Sequence, residues 1–189
     1  MFYRLEVKDH IRVPPDRFED STEDSVLGEV RKKFEGYISP DLGVVIDVSK
    51  MIEIGEGVVI PEDGAAYYES TFELVSYKPE MQEVVHGKIK DITDFGAFIS
   101  LGPIEGMIHI SQTMDDFVSF SKEKVLNGKE SKRTLKVGDL CRSRIIAVSY
   151  KDPSNPKLGL TMRQPLMGRL EWIEEDKDKA KEKKSGAKK

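Results

Sequence analysis

Between Met81 and Met162 the apolar residues fall into short alternating runs of the all-β kind. The segments "EVVHGKIKDITD", "FGAFISL", "EGMIHI", "DLCRSRIIAVSY" and "PKLGLTM" are separated by Gly, Pro, Asp or charged loops. Side chains of a strand alternate between two faces, so each run offers one face to a core and the other to water. Five such strands suit a small closed barrel. Between the third and fourth runs lies "SQTMDDFVSFSKEKVLNGKESKRTLKVG", too long for a hairpin and too polar for a strand. It reads as a short helical turn plus an exposed basic loop. After Gln164, "PLMGRLEWIEE" sets Leu166, Leu170 and Ile173 at helical spacing, and "DKDKAKEKKSGAKK" reads as a disordered Lys-rich tail.

The first 80 residues follow another pattern. "MFYRLEVKDHIRV" alternates apolar and polar residues and stops at Pro14 and Pro15, as a strand would. "DSTEDSVLGEVRKKFEGY" has a cap in Asp20 or Ser21, acids in the first turn and a stripe of Val26, Leu27, Val30 and Phe34, with Gly36 beyond a basic last turn. These are the marks of one amphipathic helix. "LGVVIDVSKMIEIGEGVVIPEDGAAYYESTFELVSYKP" is rich in β-branched and aromatic residues and predicts two or three strands joined by short turns. Pro79 closes this α+β unit. Charge changes at the same place. Residues 1–80 carry 9 basic against 18 acidic side chains, residues 81–174 carry 14 against 12, and residues 175–189 carry 7 against 4. An acidic front half repels phosphate at long range and suits a protein partner, so nucleic acid is expected on the later part of the chain.

Several classes of function are excluded by what the chain lacks. Cys141 is the only cysteine and His10, His86 and His109 are scattered, so no disulfide and no zinc spacing can be written. No run approaches the length of a membrane span, and the expectation is a cytoplasmic protein with no membrane contact. "GEGVV" lacks the later glycine and the strand-to-helix setting of a dinucleotide loop, and there is no Walker sequence. The pairs Glu53 with Glu56 and Glu62 with Asp63 fall in turn-rich sequence and read as solvated loop acids. The chain is expected to bind without cofactor, metal or catalysis of its own.

"VVHGKIKDITDFGAFISL", "EGMIHIS", "KVGDLCRSRIIAV" and "KLGLT" stand in the order and register of the S-one family, so residues 83–163 resemble that RNA-binding form of the OB barrel. The front segments "MFYRLEVKDHIRVPP", "GVVIDV" and "GEGVVIPEDGAAYYESTFELVSYKP" resemble the front domain of the E-prime family of archaeal RNA polymerase stalk subunits, related to the seventh-subunit homologues of eukaryotic polymerases. The resemblance implies three regions. Residues 1–80 form an RNP-like domain with a small antiparallel sheet and one helix that docks on the polymerase; residues 81–164 form an all-β five-stranded OB barrel that binds RNA; residues 165–189 form a short helix and the tail. It also implies a non-catalytic stalk subunit of a nucleotidyltransferase, a heterodimer with a second stalk subunit, contact with the polymerase core, and binding of emerging single-stranded RNA. The competing reading is a free-standing or ribosome- or exosome-associated RNA-binding protein.

The family's RNA face carries over to Phe95, Phe98 and His109. Rings stack on any base, so such a face needs no sequence code. Residues three apart cannot both point outward from a regular strand. Either one Phe fills the barrel, or a bulge or coil at Gly96 turns both out. Met107, His109 and Ser111 share one face and Ile108 and Ile110 the other, so His109 faces out if the isoleucines fill the barrel. Candidate phosphate contacts are Lys88 and Lys90 on the first barrel strand, Arg142 and Arg144 on the fourth, and Lys157 before the fifth, which matches a basic position of the family. Each also reads as an ordinary solvated charge. Ser149 stands near a position where some family members carry an acid, and Asp152 in the longer loop "YKDPSNP" is the residue that could replace it.

Overall fold

The computed structural model describes residues 1–152 and 156–186, with side chains through residue 178. The chain divides between Lys78 and Pro79 into two compact units.

The front unit contains β1 (Phe2–Val13), α1 (Thr22–Phe34), β2 (Ile38–Ser39), β3 (Gly43–Val59) and β4 (Ala66–Tyr77). The sheet is antiparallel in the order β1-β4-β3-β2. Ser21 is the residue that caps α1: its hydroxyl accepts from the Asp24 amide at 3.1 Å. Glu23 and Asp24 then occupy the positive end of the helix and Arg31, Lys32 and Lys33 the negative end. Val26, Val30 and Phe34 are buried against Ile11, Val13, Val45, Val48, Phe72 and Leu74 of the sheet. One face of the sheet is thus closed by one helix.

β3 spans 17 residues while pairing with the 12 of β4, and the difference is absorbed by four register shifts. Ile46, Ser49, Ile52 and the pair Gly55 and Glu56 have no partner in the ladder. The strand therefore repeats in threes. Val45, Val48, Met51 and Ile54 face the core; Ile46, Ser49, Ile52 and Gly55 are the extra residues; Asp47, Lys50, Glu53 and Glu56 face water. Bulges at this spacing bend and twist a strand, which is how one strand spans a curved unit. They also leave Ile46 and Ile52 exposed, at 39% and 47%.

In the second unit β5 (Val84–Thr93), β6 (Gly96–Ser100) and β7 (Glu105–His109) are followed by a 3-10 turn at Ile110–Gln112. Next come β8 (Val118–Ser121), β9 (Val125–Gly128), β10 (Thr134–Lys136), β11 (Leu140–Ser149), β12 (Lys157–Thr161), β13 (Gly168–Arg169) and α2 (Leu170–Gly186). β12, β7, β6, β5 and β11 pair in that order, and β12 also pairs with β11, so five strands close into a barrel. Its interior is packed with Ile89, Ile92, Ile99, Ile108, Ile145, Leu158 and Leu160. Cys141 is enclosed with them, and burial pushes its thiol up to about 12, so it is an inert packing residue.

Two sequence expectations are corrected by the fold. The segment between the third and fourth barrel strands is a three-stranded antiparallel sheet, β10-β9-β8, where a basic loop was expected. Leu126 and Leu135 lie opposite each other in it and are fully buried. One buried leucine on each of two strands organises the sheet, and such a pattern is hidden among lysines and serines. The C-terminal helix continues through the Lys-rich segment to Gly186, beyond the short helix expected. Ala, Glu and Lys are good helix formers, and residues 187–189 of the expected disordered tail lie outside the described residues. Leu166 precedes the helix and is 57% exposed, whereas Trp172 and Ile173 are the residues that bury α2. Among the described residues no helix is long and apolar enough to cross a membrane.

Candidate nucleic-acid interface

The turn between β5 and β6 resolves the spacing of the two phenylalanines. β5 and β6 pair down to Thr93 and Gly96, and Asp94 and Phe95 form the turn between them. Phe95 is therefore released from strand alternation and is 47% exposed. Phe98 lies on the outer face of β6, half-buried, opposite Met107. The rings meet edge to face, with centroids 6.0 Å apart and planes at 90°. Gly96 makes the turn possible, because a Cβ there would collide with the Ile108 carbonyl. Of the two alternatives in the sequence, both rings outside is the one realised.

His109 ends β7 opposite Gly96 and is exposed, while Ile108 fills the barrel. The Ser111 amide donates to His109 Nδ1 at 3.3 Å, and the Ser111 hydroxyl lies 2.8 Å from the same nitrogen. With Nδ1 accepting from the Ser111 amide, a neutral ring carries its proton on Nε2 and offers that nitrogen as a donor. In the sequence Ser111 stands out only as a residue of the same face. Its role in holding the imidazole comes from the turn after β7, which alternation does not encode.

Phe98, Met107, Gly159 and Ala147 are successive cross-strand partners on β6, β7, β12 and β11. Gly159 and Ala147 keep this row low. The result is a groove of about 620 Å³ on the outside of the barrel, walled by Phe98, Met107, His109 and Ile146, with Glu105 and Lys157 at its polar border. The groove is mainly hydrocarbon, which suits a flat base better than a charged ligand.

The five basic candidates do not form one stripe. Lys157 borders the groove and is exposed. Lys88 is exposed opposite Ser100, diagonal to Phe98. Neither makes an ion pair among the described residues. Lys90 is already paired with Glu105. Arg142 donates from Nε to His86 Nε2 at 3.0 Å, and Arg144 donates to the Gln82 carbonyl at 3.2 Å, both across the β5–β11 side of the barrel. Ser149 lines the groove, Asp152 lies beyond β11, and residues 153–155 of the adjoining loop lie outside the described residues.

Two family models match the chain: an SHS2 domain found in the N terminus of Rpb7p/Rpc25p/MJ0397 over residues 8–64, and an S1 RNA binding domain over residues 78–153. DNA-directed RNA polymerase subunit Rpo7 of Saccharolobus solfataricus is 35% identical over 179 residues, covering 94% of this chain and 99% of the relative. The chain belongs to the Rpo7 family of RNA polymerase subunits. Rpo7 of Sulfolobus acidocaldarius is 33% identical over 181 residues, covering 95% of this chain and 99% of that one. The relation reaches DNA-directed RNA polymerase III subunit RPC8 of Saccharomyces cerevisiae, 34% identical over 114 residues, with 60% of this chain and 54% of the relative covered. As an Rpo7 family member, the chain joins a sheet-plus-helix unit to an S1-type barrel. The ring pair and the groove lie on that barrel.

Proposed function

We propose that this Rpo7 family chain works as a non-catalytic stalk subunit, pairing with a second stalk subunit, docking on the polymerase core through its front unit, and carrying emerging single-stranded RNA across the outer face of its barrel. The observation that carries the RNA path is the edge-to-face pair of the exposed Phe95 and the half-buried Phe98 beside an apolar groove. A stacked base on such rings contributes about 1 to 3 kcal/mol whatever its identity, as a path for transcripts of every sequence requires. His109 Nε2 adds a hydrogen-bond donor, and Lys88 and Lys157 add phosphate contacts.

Protein contacts are supported by the front unit. Val58, Val59 and Ile60 at the turn between β3 and β4 are 63%, 57% and 44% exposed, on the same bulged strand and its end as the exposed Ile46 and Ile52. Apolar side chains so placed on an acidic unit mark a surface for protein rather than for phosphate. Purification from the source organism tests the assignment. Co-elution with the large polymerase subunits and one further small subunit is expected; recovery on ribosomes or on a nuclease ring, without polymerase, would overturn it.

A further inference from the structure

The S1-type barrel carries a sheet that the proposed RNA path does not use, and its exposed side chains are of the same kind as the path. Phe117, at the entry to β8, is 66% exposed, more than Phe95, and Phe120 on the same strand is 40% exposed. Phe117 is not the tip of a loose loop. The Asp116 carboxylate accepts from the amides of Phe117, Glu130 and Ser131 at 2.6, 3.0 and 2.9 Å and from the Ser131 hydroxyl at 2.8 Å. The Phe117 carbonyl accepts from the Lys129 amide at 3.0 Å. A phenyl ring held out in water on a backbone fixed at both sides is preorganised for stacking, and no aromatic ring of the described residues stacks on it.

The ring is also supplied with charge. Lys129 Nζ stands 4.3 Å from the Phe117 centroid, a cation–π contact that occupies one face of the ring. Lys122 and Lys132 are exposed on the same hairpin and the turn that follows it. The hairpin is continuous with the ring pair. Lys124, at the β8–β9 turn, makes an ion pair with Asp91 at 2.7 Å, and Asp91 is the cross-strand partner of Phe98. The turn of the inserted sheet is thereby clamped to β5, the neighbour of the strand that carries Phe98 into the groove.

We infer that the β8–β9–β10 sheet is a second station for single-stranded RNA, where Phe117 stacks on a base and Lys129 meets the adjoining phosphate, lengthening the bound segment beyond the barrel groove. The inference rests on the RNA path proposed above and predicts that loss of the Phe117 ring is felt only by RNA long enough to reach beyond the groove. Aromatic stacking combined with a basic surface binds any single strand, so the station needs no sequence preference.

The test uses the full chain and 5′-fluorescein oligouridylates of about 5 and about 16 nucleotides, within the range of site sizes seen for single OB barrels, with binding followed by anisotropy. Phe117→Ala should weaken the longer oligomer by roughly five- to 150-fold, the equivalent of one lost base stack, and leave the shorter one unchanged. Phe117→Trp should bind the longer oligomer as the parent does. Phe95→Ala should weaken both lengths. Melting temperatures of the Phe117 variants should match the parent, because the ring is mostly in water. If Phe117→Ala binds the longer oligomer as the parent does while Phe95→Ala is impaired, the station is refuted and the groove path stands. Loss of polymerase co-purification in Phe117→Ala with unchanged RNA binding would refute it in favour of a protein contact. A defect in Phe117→Ala with none in Phe95→Ala would keep the station and overturn the groove path.

Discussion

Replacing Phe95 by alanine separates a stacking ring from a core ring by magnitude as well as by sign. Full burial of a phenylalanine side chain contributes about 1.5 to 3 kcal/mol. Phe95 is 47% exposed, so about half of that is at stake in the free protein. Its edge-to-face contact with Phe98 adds about 0.5 to 1.5 kcal/mol. The variant should therefore lose roughly 1.3 to 3 kcal/mol of stability, against about 3 to 5 kcal/mol for a phenylalanine excised from a core. It should remain folded and should bind single-stranded RNA more weakly by about 1 to 3 kcal/mol. The assay is denaturant unfolding followed by RNA anisotropy on the same preparation. Phe98→Ala, at a more buried position, should cost more stability, and His109→Ala should weaken RNA binding less than either ring variant. A stability loss above about 3 kcal/mol for Phe95→Ala, with unchanged affinity per folded molecule, would refute the reasoning.

Three further outcomes follow from the geometry. With Lys88 and Lys157 as the exposed cations near the rings, affinity for an oligomer of about 5 nucleotides, too short to reach Lys129, should fall with salt at a log-log slope of about -1.4, at about -0.7 per phosphate, and Lys157→Gln should make the titration shallower by about 0.7. Leu135→Ala should destabilise the second unit by about 2 to 5 kcal/mol in calorimetry, because Leu135 is fully buried in the inserted sheet; a change below about 0.5 kcal/mol would mean that the segment is a loop. Asp63 accepts from Arg12 at 2.6 and 2.7 Å and from the Tyr67 hydroxyl at 2.8 Å, and these bonds, the Arg12 ones foremost, hold its carboxyl at about 2. The folded state then binds the proton less tightly than the unfolded state, whose Asp titrates near about 3.9. Its stabilisation is complete above that value and is lost as pH falls through about 2. Asp63→Asn should flatten the dependence of melting temperature on pH in that window.

The barrel is legible in the sequence because its strands alternate over most of their length, with bulges between Ile89 and Asp91 and between Ile145 and Ala147. Alternation also places His109 outward once Ile108 and Ile110 are set against it. What the sequence hides lies where period two fails. In β3 the core residues Val45, Val48, Met51 and Ile54 recur every third position, since one residue in three is left out of the ladder. Read with a period of two, that strand looks irregular, and with 3.6 it fails as well. The inserted sheet escapes sequence reasoning because two leucines hold it together among lysines and serines, while its phenylalanines Phe117 and Phe120 lie on the outside. Phe95 can be placed only as one of two alternatives, because its orientation is decided by a turn and by the space Gly96 leaves for the Ile108 carbonyl. The basic residues show the same limit. Lys90, Arg142 and Arg144 look equivalent to Lys88 in the sequence, and only the fold shows which of them already have partners.

The central claim, that this polymerase subunit carries the transcript across the outer face of its barrel, is tested most directly by cross-linking within the transcribing enzyme. Polymerase containing this chain is halted with 4-thiouridine at single positions of the emerging RNA, irradiated, and the linked peptides are mapped. Links should fall in residues 91–111 and 157–160, around Phe95, Phe98 and the groove, and with longer transcripts also in residues 117–129. Links confined to residues 1–78, or none to this chain at any RNA length, would contradict the account.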